Sequence, residues 1–164
     1  MNNASAITPE FIRAIPKTDL HVHLDGSLRP ATLAELAKAQ GVALPSYTEE
    51  GLYELVFKEQ YDSLADYLHG FQYTCAALQT PEALERAAYE LAADSYEEGA
   101  RYIEPRFAPQ LHIHPGLDMP GVVGAVARGL ERAKSEYNAR LRARDAAEEP
   151  EYSFGLVLCA MRHF

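Results

Sequence analysis

The residues best suited to chemistry lie together in segment 19–25, where polar and apolar side chains alternate. Its polar members are Asp19, His21, His23 and Asp25, and its apolar members are Leu20, Val22 and Leu24. Successive side chains of an extended strand point to opposite faces, so the polar residues share one face. Same-face neighbours have Cα atoms about 6.5–7 Å apart, and imidazole nitrogens bind zinc at about 2.0–2.1 Å. The spacing therefore predicts that His21 and His23 can hold one metal ion.

The neighbouring sequence indicates that this strand opens a βα unit. Ile15-Pro16 precedes it, and the turn signal Asp25-Gly26-Ser27 leads into a strongly helical stretch. Helices usually cover the apolar side of such a strand. The polar side then faces either a second helix layer, where polar groups are costly, or a solvated cavity that can hold metal and substrate, and we favour the cavity. The alternative is a surface strand that contains two histidines by coincidence.

Local signals predict the first helices. Residues 1–13 form a polar lead-in or a short helix. Pro30 suits the first position of a helix, and Gly41 suits the residue that follows its last turn. Ser46 and Glu49 have the spacing of a capping box before another short helix.

Two longer helices follow. Ser63 begins a helix whose apolar positions share one face. These positions are Leu64, Tyr67, Leu68, Phe71 and Cys75. Thr80 as N-cap and Pro81 as first residue begin the next helix, which closes at Gly99.

The second half of the chain predicts two strands and a helix. Ala100–Phe107 alternates as a strand, with Tyr102, Glu104 and Arg106 on one face and Ile103 and Phe107 on the other; Pro105 belongs near its end. Residues 108–119 form a loop, and Pro120 opens a helix that runs to about Arg144. The acidic segment Asp145–Glu151 breaks it. The apolar run Phe154–Met161 is typical of a strand buried on both faces.

The order of strands and helices predicts an α/β fold with parallel strands joined by right-handed crossovers. Three parallel strands do not close a barrel, so the predicted assembly is incomplete.

The composition fits a single globular domain of 164 residues. Lys and Arg number 15 against 24 Asp and Glu, which gives a net charge of −9. An acidic chain disfavours nucleic acid and anionic membrane surfaces as partners, and no run approaches the roughly 20 apolar residues that cross a bilayer. Residues 1–10 lack a secretory signal, so we expect a cytoplasmic location. Cys75 and Cys159 form no C-x-x-C pair, and neither a disulfide framework nor a zinc knuckle is expected.

Four segments of the chain resemble the adenosine deaminase family, in the family's order. They are Asp19-Leu20-His21-Val22-His23-Leu24-Asp25-Gly26-Ser27-Leu28 with Pro30, Thr32 and Leu33; Leu64, Asp66, Tyr67, Leu68 and Phe71; Tyr102-Ile103-Glu104 with Arg106, Phe107 and Pro109; and Leu158-Cys159 with Met161, Arg162 and His163. Together they cover most of this chain but about the first half of a family member. The resemblance implies that residues 1–164 are the N-terminal part of one (β/α)₈ TIM-barrel domain, with about three strands present and the site at their carboxyl ends.

The resemblance also implies a zinc cofactor and a set of site residues. His21 and His23 match the first two metal ligands, and His23 and Asp25 match positions that approach the bound nucleoside. The positions that match a helix gating the purine pocket are Leu64, Tyr67, Leu68 and Phe71, although their spacing alone also fits an ordinary core face. The family's other metal ligands and its catalytic acid and base come from later strands, beyond residue 164, so no catalytic residue is expected in this chain.

The implied reaction is hydrolytic deamination of adenosine and 2′-deoxyadenosine by a zinc-activated water, with inosine and ammonia as products of adenosine. The partner is thus a small purine nucleoside. A sibling deaminase acting on adenine or another 6-aminopurine is an alternative, although Asp25 favours the nucleoside branch because a glutamate is more usual there in adenine-type relatives. The other alternative is an incomplete fragment that pairs with a missing C-terminal half or forms a homo-oligomer, because an unclosed sheet leaves edge strands without neighbours. Residues 1–164 alone are expected to bind zinc weakly and to be inactive.

Three further observations concern the site. His112 and His114 repeat the His-x-His spacing, but they precede Pro115-Gly116 in a predicted loop, and we expect no metal role. Glu104 and Arg106 either approach the mouth of the pocket or form a structural ion pair. The different zinc deaminase signature, H-x-E with P-C-x-x-C, is absent.

Overall fold

A computed structural model describes residues 7–144 and 149–161. Six helices and four short strands lie along these residues. The helices are α1 (Pro9–Ala14), α2 (Pro30–Gln40), α3 (Glu49–Leu55), α4 (Leu64–Ala77), α5 (Pro81–Glu97) and α6 (Met119–Ala143). The strands are β1 (Lys17–His23), β2 (Ala100–Phe107), β3 (Ser153–Phe154) and β4 (Val157–Leu158), and a 3₁₀ turn spans Pro109–His112.

Side-chain caps and one glycine set the ends of the principal helices, as predicted. The Ser63 hydroxyl accepts the Asp66 backbone N–H at 3.1 Å, and the Thr80 hydroxyl accepts the Ala83 N–H at 3.1 Å. Gly41 ends α2 with φ at 69°, in the left-handed region that glycine enters without strain. These ends depend on contacts within one turn, which is why the local sequence predicts them.

The capping box predicted at Ser46 is wrong. The N-cap of α3 is Thr48, which has an extended backbone and accepts the Gly51 N–H at 3.2 Å. The Ser46 hydroxyl instead accepts the Thr48 N–H at 3.2 Å. Two hydroxyl residues lie close together here, and the one next to the acidic first turn provides the cap.

The strands form one parallel sheet with β2 at its centre. β1 pairs with one side of β2, and β3 and β4 follow one another along the other side. The register between β1 and β2 shifts between Asp19 and Val22, close to Pro105, which has no N–H to donate. The parallel βα order is therefore confirmed, and the carboxyl ends of the strands meet at one edge of the sheet.

The core lies between β2 and the packed pair α5 and α6. Ile103 and Phe107, on the helix-facing side of β2, are 0% and 2% exposed. The two helices are in close contact at Gly129, where a Cβ atom would lie 2.2 Å from the backbone oxygen of Glu85. The faces predicted for β2 are confirmed.

The third strand is shorter and more exposed than predicted. The run Phe154–Met161 divides into β3 and β4 instead of one continuous strand, and Leu158 is 50% exposed. Tyr152, the residue before β3, is buried and connects this segment to α6. Its backbone N–H and carbonyl bond to the Asn138 side chain at 2.7 and 2.9 Å. Since this run lies at an edge of the sheet, one of its sides has no neighbouring strand within the described residues.

β1 forms the opposite edge, and the prediction that its whole apolar face is packed is wrong. Leu24 is 1% exposed, whereas Leu20 is 55% exposed. Leu24 belongs to the core cluster beneath the βα turn. The exposure of Leu20 shows that no described helix covers the middle of this edge strand.

The remaining segments complete the description. The predicted loop 108–119 contains the 3₁₀ turn and a bridge between His114 and Leu117, and the Asp118 side chain caps α6. Residues 145–148 of the predicted acidic break, and Arg162 and His163 of the last family-like segment, lie outside the described residues. Within the described ranges, no helix has the length and apolar character that crossing a membrane requires.

Candidate functional site

The two histidines of β1 lie near its carboxyl end with both side chains exposed. The ring centroids of His21 and His23 are 5.3 Å apart, and the ring planes are tilted by 34°. Two imidazoles on one tetrahedral zinc, with bonds of about 2.0–2.1 Å, have centroids about 5.2 Å apart. The observed centroid separation is close to that value.

This pair is short of a complete ligand set. A tetrahedral zinc takes four ligands, of which at least three usually come from protein. Across residues 7–144 and 149–161, no group of three or more His, Cys, Asp or Glu side chains is arranged to hold a metal. Asp19, which the strand pattern places on the same face, turns its carboxylate back to accept the His21 backbone N–H at 3.1 Å.

Asp25 lies in the turn that follows β1 and is 7% exposed. Its Oδ1 is 3.7 Å from His23 Nδ1, beyond hydrogen-bond distance, and has no partner within the described chain. Burial raises the pKa of Asp25, while the nearby His23 and the backbone N–H groups of Asp25 and Gly26 act against that shift. A buried carboxyl oxygen with free acceptor capacity can bind a hydroxyl or a water.

A cavity of about 340 Å³ opens beside His23 and Asp25. It is lined by His23, Asp25, Tyr67, Leu68, Phe71, Cys75, Phe107, Ala108, Leu111, Cys159 and Met161. Apolar walls with a few polar groups at one end are the usual composition of a small-molecule site. The cavity lies at the carboxyl ends of the strands, where the resemblance places the site.

Three of the four residues predicted on the gating helix line this cavity. They are Tyr67, Leu68 and Phe71, and the Phe71 ring meets the His23 ring edge-on at 6.2 Å. Leu64 is 71% exposed and is not among the lining residues. Tyr67 and Leu68 are 45% and 50% exposed, so the described residues do not bury this part of α4 in a core.

Polar contacts hold α4 at both ends. At its start, Lys58 donates to the two carboxylate oxygens of Asp66 at 2.9 and 3.2 Å, and this contact lowers the pKa of Asp66. At its end, the Gln79 amide donates to the carbonyls of Cys75 and Leu111 at 2.6 and 3.1 Å. Gln79 therefore joins the last turn of α4 to the loop that follows β2.

The sequence analysis did not identify the other residues that line the cavity. They are Cys75, Phe107, Ala108, Leu111, Cys159 and Met161. Cys75 lies one turn beyond Phe71 on the predicted face of α4, and the others lie at or beyond the ends of β2 and β4. In a TIM barrel the site is built from the loops that follow the strands. Applied to β2 and β4, this rule could have identified them.

The rings of His112 and His114 are each bonded to backbone. His112 is fully buried, and its Nδ1 donates to the Leu78 carbonyl at 2.9 Å. His114 is exposed; its Nε2 donates to the Gln79 carbonyl at 2.9 Å and its Nδ1 accepts the Gly116 N–H at 3.2 Å. The loop prediction is wrong for His112, which ends the 3₁₀ turn inside the molecule.

Glu104 and Arg106 do not form the ion pair that was one of two alternatives. Glu104 accepts the Tyr102 hydroxyl at 2.9 Å, and Arg106 reaches the Leu20 carbonyl at 3.4 Å. No salt bridge joins Glu104 to Arg106 in the part of the chain that the structure describes. Glu104 and Arg106 are less buried than Ile103 and Phe107, with which they alternate along β2.

Comparison with known proteins decides the family. The sequence model of the family described as adenosine deaminase matches residues 16–157. This chain belongs to the adenosine deaminase family. A protein named adenosine deaminase from Enterococcus faecalis is 40% identical over 153 residues, which are 93% of this chain and 41% of that relative. The chain thus spans about two fifths of the length of this relative.

Solved structures share the fold. Adenine deaminase from Arthrobacter aurescens matches with a TM-score of 0.66 and 23% identity, over 90% of this chain and 50% of that one. An amidohydrolase from Burkholderia ambifaria with bound Zn matches with a TM-score of 0.66 and 20% identity, over 98% of this chain and 49% of that one. At these identities the likeness concerns the fold alone, and it confirms that the chain forms the first βα units of a TIM barrel.

Proposed function

We propose that this chain is the N-terminal part of a zinc-dependent deaminase that removes the 6-amino group of adenosine and 2′-deoxyadenosine. The observation that carries the proposal is the His21–His23 pair, whose ring centroids are 5.3 Å apart and of which His23 lines an apolar cavity. Membership of the family and the relative named adenosine deaminase support the reaction. The bound Zn in an amidohydrolase of the same fold supports the choice of metal.

Each site residue has a role in this proposal. His21 and His23 each bind the metal through one ring nitrogen. When bound, zinc supplies a water whose pKa is lowered to about 7, and therefore a nucleophile at neutral pH. His23 and Asp25 contact the nucleoside, with Asp25 Oδ1 accepting a hydroxyl because it has no partner of its own. The residues of α4 that cover the purine are Tyr67, Leu68 and Phe71, which line the cavity, whereas Leu64 does not.

The catalytic acid, the base and the remaining metal ligands must come from elsewhere. The two histidines supply half of a tetrahedral ligand set, and this chain spans 41% of its Enterococcus relative. Leu20 and Leu158, at the two edges of the sheet, are 55% and 50% exposed. We therefore propose that the missing half of the barrel, in the same or another chain, completes the site, and that residues 1–164 alone are inactive.

Zinc binding to residues 1–164 tests the ligand assignment. After dialysis against zinc, elemental analysis should show at least about tenfold less bound metal for His21→Ala and for His23→Ala, since each removes one of two ligands. His69→Ala is the matched control, because His69 is an exposed histidine on α4. Equal zinc content in all these proteins would remove the basis for the metal site.

Activity tests the rest of the proposal. With zinc added, residues 1–164 should leave the absorbance of adenosine unchanged. Turnover at about 1 s⁻¹ or faster, the ordinary range of enzymes, would overturn the claim that the chain is incomplete. A chain extended by the remaining strands should deaminate adenosine faster than adenine, and the opposite preference would favour the adenine-type alternative.

A further inference from the structure

The peptide group between Leu20 and His21 lies where β1 departs from a regular ladder. Between Asp19 and Val22, β1 advances three residues, whereas β2 advances two residues between their register partners. One extra residue in one strand is the count of a β-bulge, and it belongs to the pair Leu20 and His21, which have no register partners in β2. A bulge disrupts the ladder locally and re-aims the side chains that it carries. The direction of the His21 side chain therefore depends on the contacts that hold this bulge.

Side chains bond to both polar groups of that peptide. Asp19 Oδ1 accepts the His21 backbone N–H at 3.1 Å. Arg106 Nη2 donates to the Leu20 carbonyl oxygen at 3.4 Å. The C=O and N–H of a trans peptide are fixed in one plane and point in opposite directions, so the two side chains bind it from opposite sides. Because the planar group rotates as a unit, these two bonds together restrain its orientation.

The Arg106 side chain is committed to this contact. Its Nε is buried and has no hydrogen-bond partner within the described residues, so the side chain does not extend freely into solvent. No salt bridge in residues 7–144 and 149–161 includes Arg106. Its guanidinium donates instead to the Leu20 carbonyl. This bond links β2 to β1 at the bulge, just before the first of the two histidines.

We propose that Asp19 and Arg106 are positioning residues that hold the peptide between Leu20 and His21 and, through it, direct the His21 ring towards the His23 ring. The ring centroids are 5.3 Å apart, close to the separation of two imidazoles on one zinc. Asp19 is engaged with backbone and Arg106 is a cation, so neither acts as a metal ligand. The consequence for metal binding rests on the proposed function, whereas the restraint on the peptide does not.

Three substitutions and one control separate positioning from charge and from general support of the fold. Asp19→Ala removes the acceptor of the peptide N–H, whereas Asp19→Asn keeps an oxygen there and loses the charge. Arg106→Met keeps most of the length of the side chain and loses its donors. Arg101→Met is the matched control, because Arg101 lies on the same strand but donates to the carbonyls of Tyr96 and Ala100.

Hydrogen exchange at the His21 amide tests the Asp19 contact in metal-free residues 1–164. After correction for intrinsic rates, we expect exchange to be about fivefold faster in Asp19→Ala and within about twofold of the parent in Asp19→Asn. An effect of charge alone would accelerate exchange in both variants. Equal exchange in the two variants, or unchanged exchange in Asp19→Ala, would overturn the proposal.

The nuclear Overhauser effect between the ring hydrogens of His21 and His23 reports the ring directions in the same samples. We expect this effect in the parent, in Asp19→Asn and in Arg101→Met. It should be lost in Asp19→Ala and in Arg106→Met. Urea unfolding of each variant measures general stability separately, and loss of stability alone would not produce this order. The same ring contact in Arg106→Met as in Arg101→Met would overturn the part assigned to Arg106.

Zinc affinity connects the restraint to the metal site. Competition with a chromogenic chelator should show zinc binding about fivefold weaker in Asp19→Ala and Arg106→Met than in Asp19→Asn and Arg101→Met. Equal affinities would overturn the part of the proposal that concerns metal. If the parent chain binds no zinc, the proposed metal site fails, while the exchange and Overhauser measurements still decide whether Asp19 and Arg106 hold the peptide.

Discussion

Replacing Gly129 with alanine tests the contact that sets the packing of α6 on α5. A Cβ atom there would lie 2.2 Å from the Glu85 backbone oxygen and 2.9 Å from both the Ala88 Cβ and the Tyr89 backbone nitrogen. Non-bonded heavy atoms normally rest at about 3.5 Å, so the overlap with the Glu85 oxygen exceeds about 1 Å. That oxygen belongs to the backbone of α5 and cannot rotate away. Overpacking of this kind costs about 1–3 kcal/mol, occasionally more.

Gly124 in the same helix provides the matched control. A Cβ atom there would meet only the Arg128 guanidinium, at 3.6 Å. Alanine favours a helix over glycine by about 0.8–1.0 kcal/mol. We therefore expect Gly124→Ala to raise the free energy of unfolding by about 0.5–1 kcal/mol, and Gly129→Ala to lower it by up to about 2 kcal/mol after the same gain is subtracted.

Urea unfolding of residues 1–164, followed by far-ultraviolet circular dichroism, measures both changes. The two substitutions are chemically identical and lie on one helix, so opposite signs can arise only from their surroundings. If both variants gained stability, or if both lost it equally, the close approach of α5 and α6 at Gly129 would be refuted.

Two further predictions follow from buried groups. Burial lowers the pKa of His112 in the folded chain, whereas its pKa in the unfolded chain is about 6.5. Below pH 6.5 the unfolded chain therefore binds more protons than the folded chain. The stability that His112 contributes is then lost as pH falls. The difference in unfolding free energy between the parent and His112→Asn, measured in urea at pH 7 and pH 5, should therefore shrink at pH 5; a constant or larger difference would contradict this. Burial also raises the pKa of Cys75 from 9.0 to about 12. In Cys159→Ser, where Cys75 is the remaining thiol, labelling with a disulfide reagent at pH 8 should be at least about tenfold slower in the folded than in the unfolded chain, and equal rates would contradict the raised pKa of the thiol.

The parts of the fold that could be predicted depend on residues close in sequence. The cap at Thr80 and the left-handed Gly41 act within one turn, and the alternation in β2 alone directs Ile103 and Phe107 towards the helices. The parallel order of the strands follows from helices that separate them along the chain. The error at Ser46 is also local, because Thr48 competes with it for the same helix start.

The candidate site was only partly predictable, for a different reason. Strand alternation places His21 and His23 on one face, but whether a cavity lies beside them depends on elements far away in the chain. The apolar side of α4 has the same spacing whether it packs in a core or lines a pocket, so spacing could not decide between them. Leu111 enters the site through the loop after β2, and no periodic pattern marks it.

By itself, the sequence determined where most of the helices begin, which residues of β2 share a face, and which family the chain resembles, because periodicity, caps and motifs depend on neighbouring residues. Only the tertiary structure decided which of those faces are covered. The alternation in the sequence puts Leu20 and Leu24 on the same apolar face, yet one is 55% and the other 1% exposed. His112 and His114 likewise share a motif but differ in burial. Burial depends on contacts between residues that the fold brings together from distant parts of the chain. A local sequence pattern contains no information on those contacts.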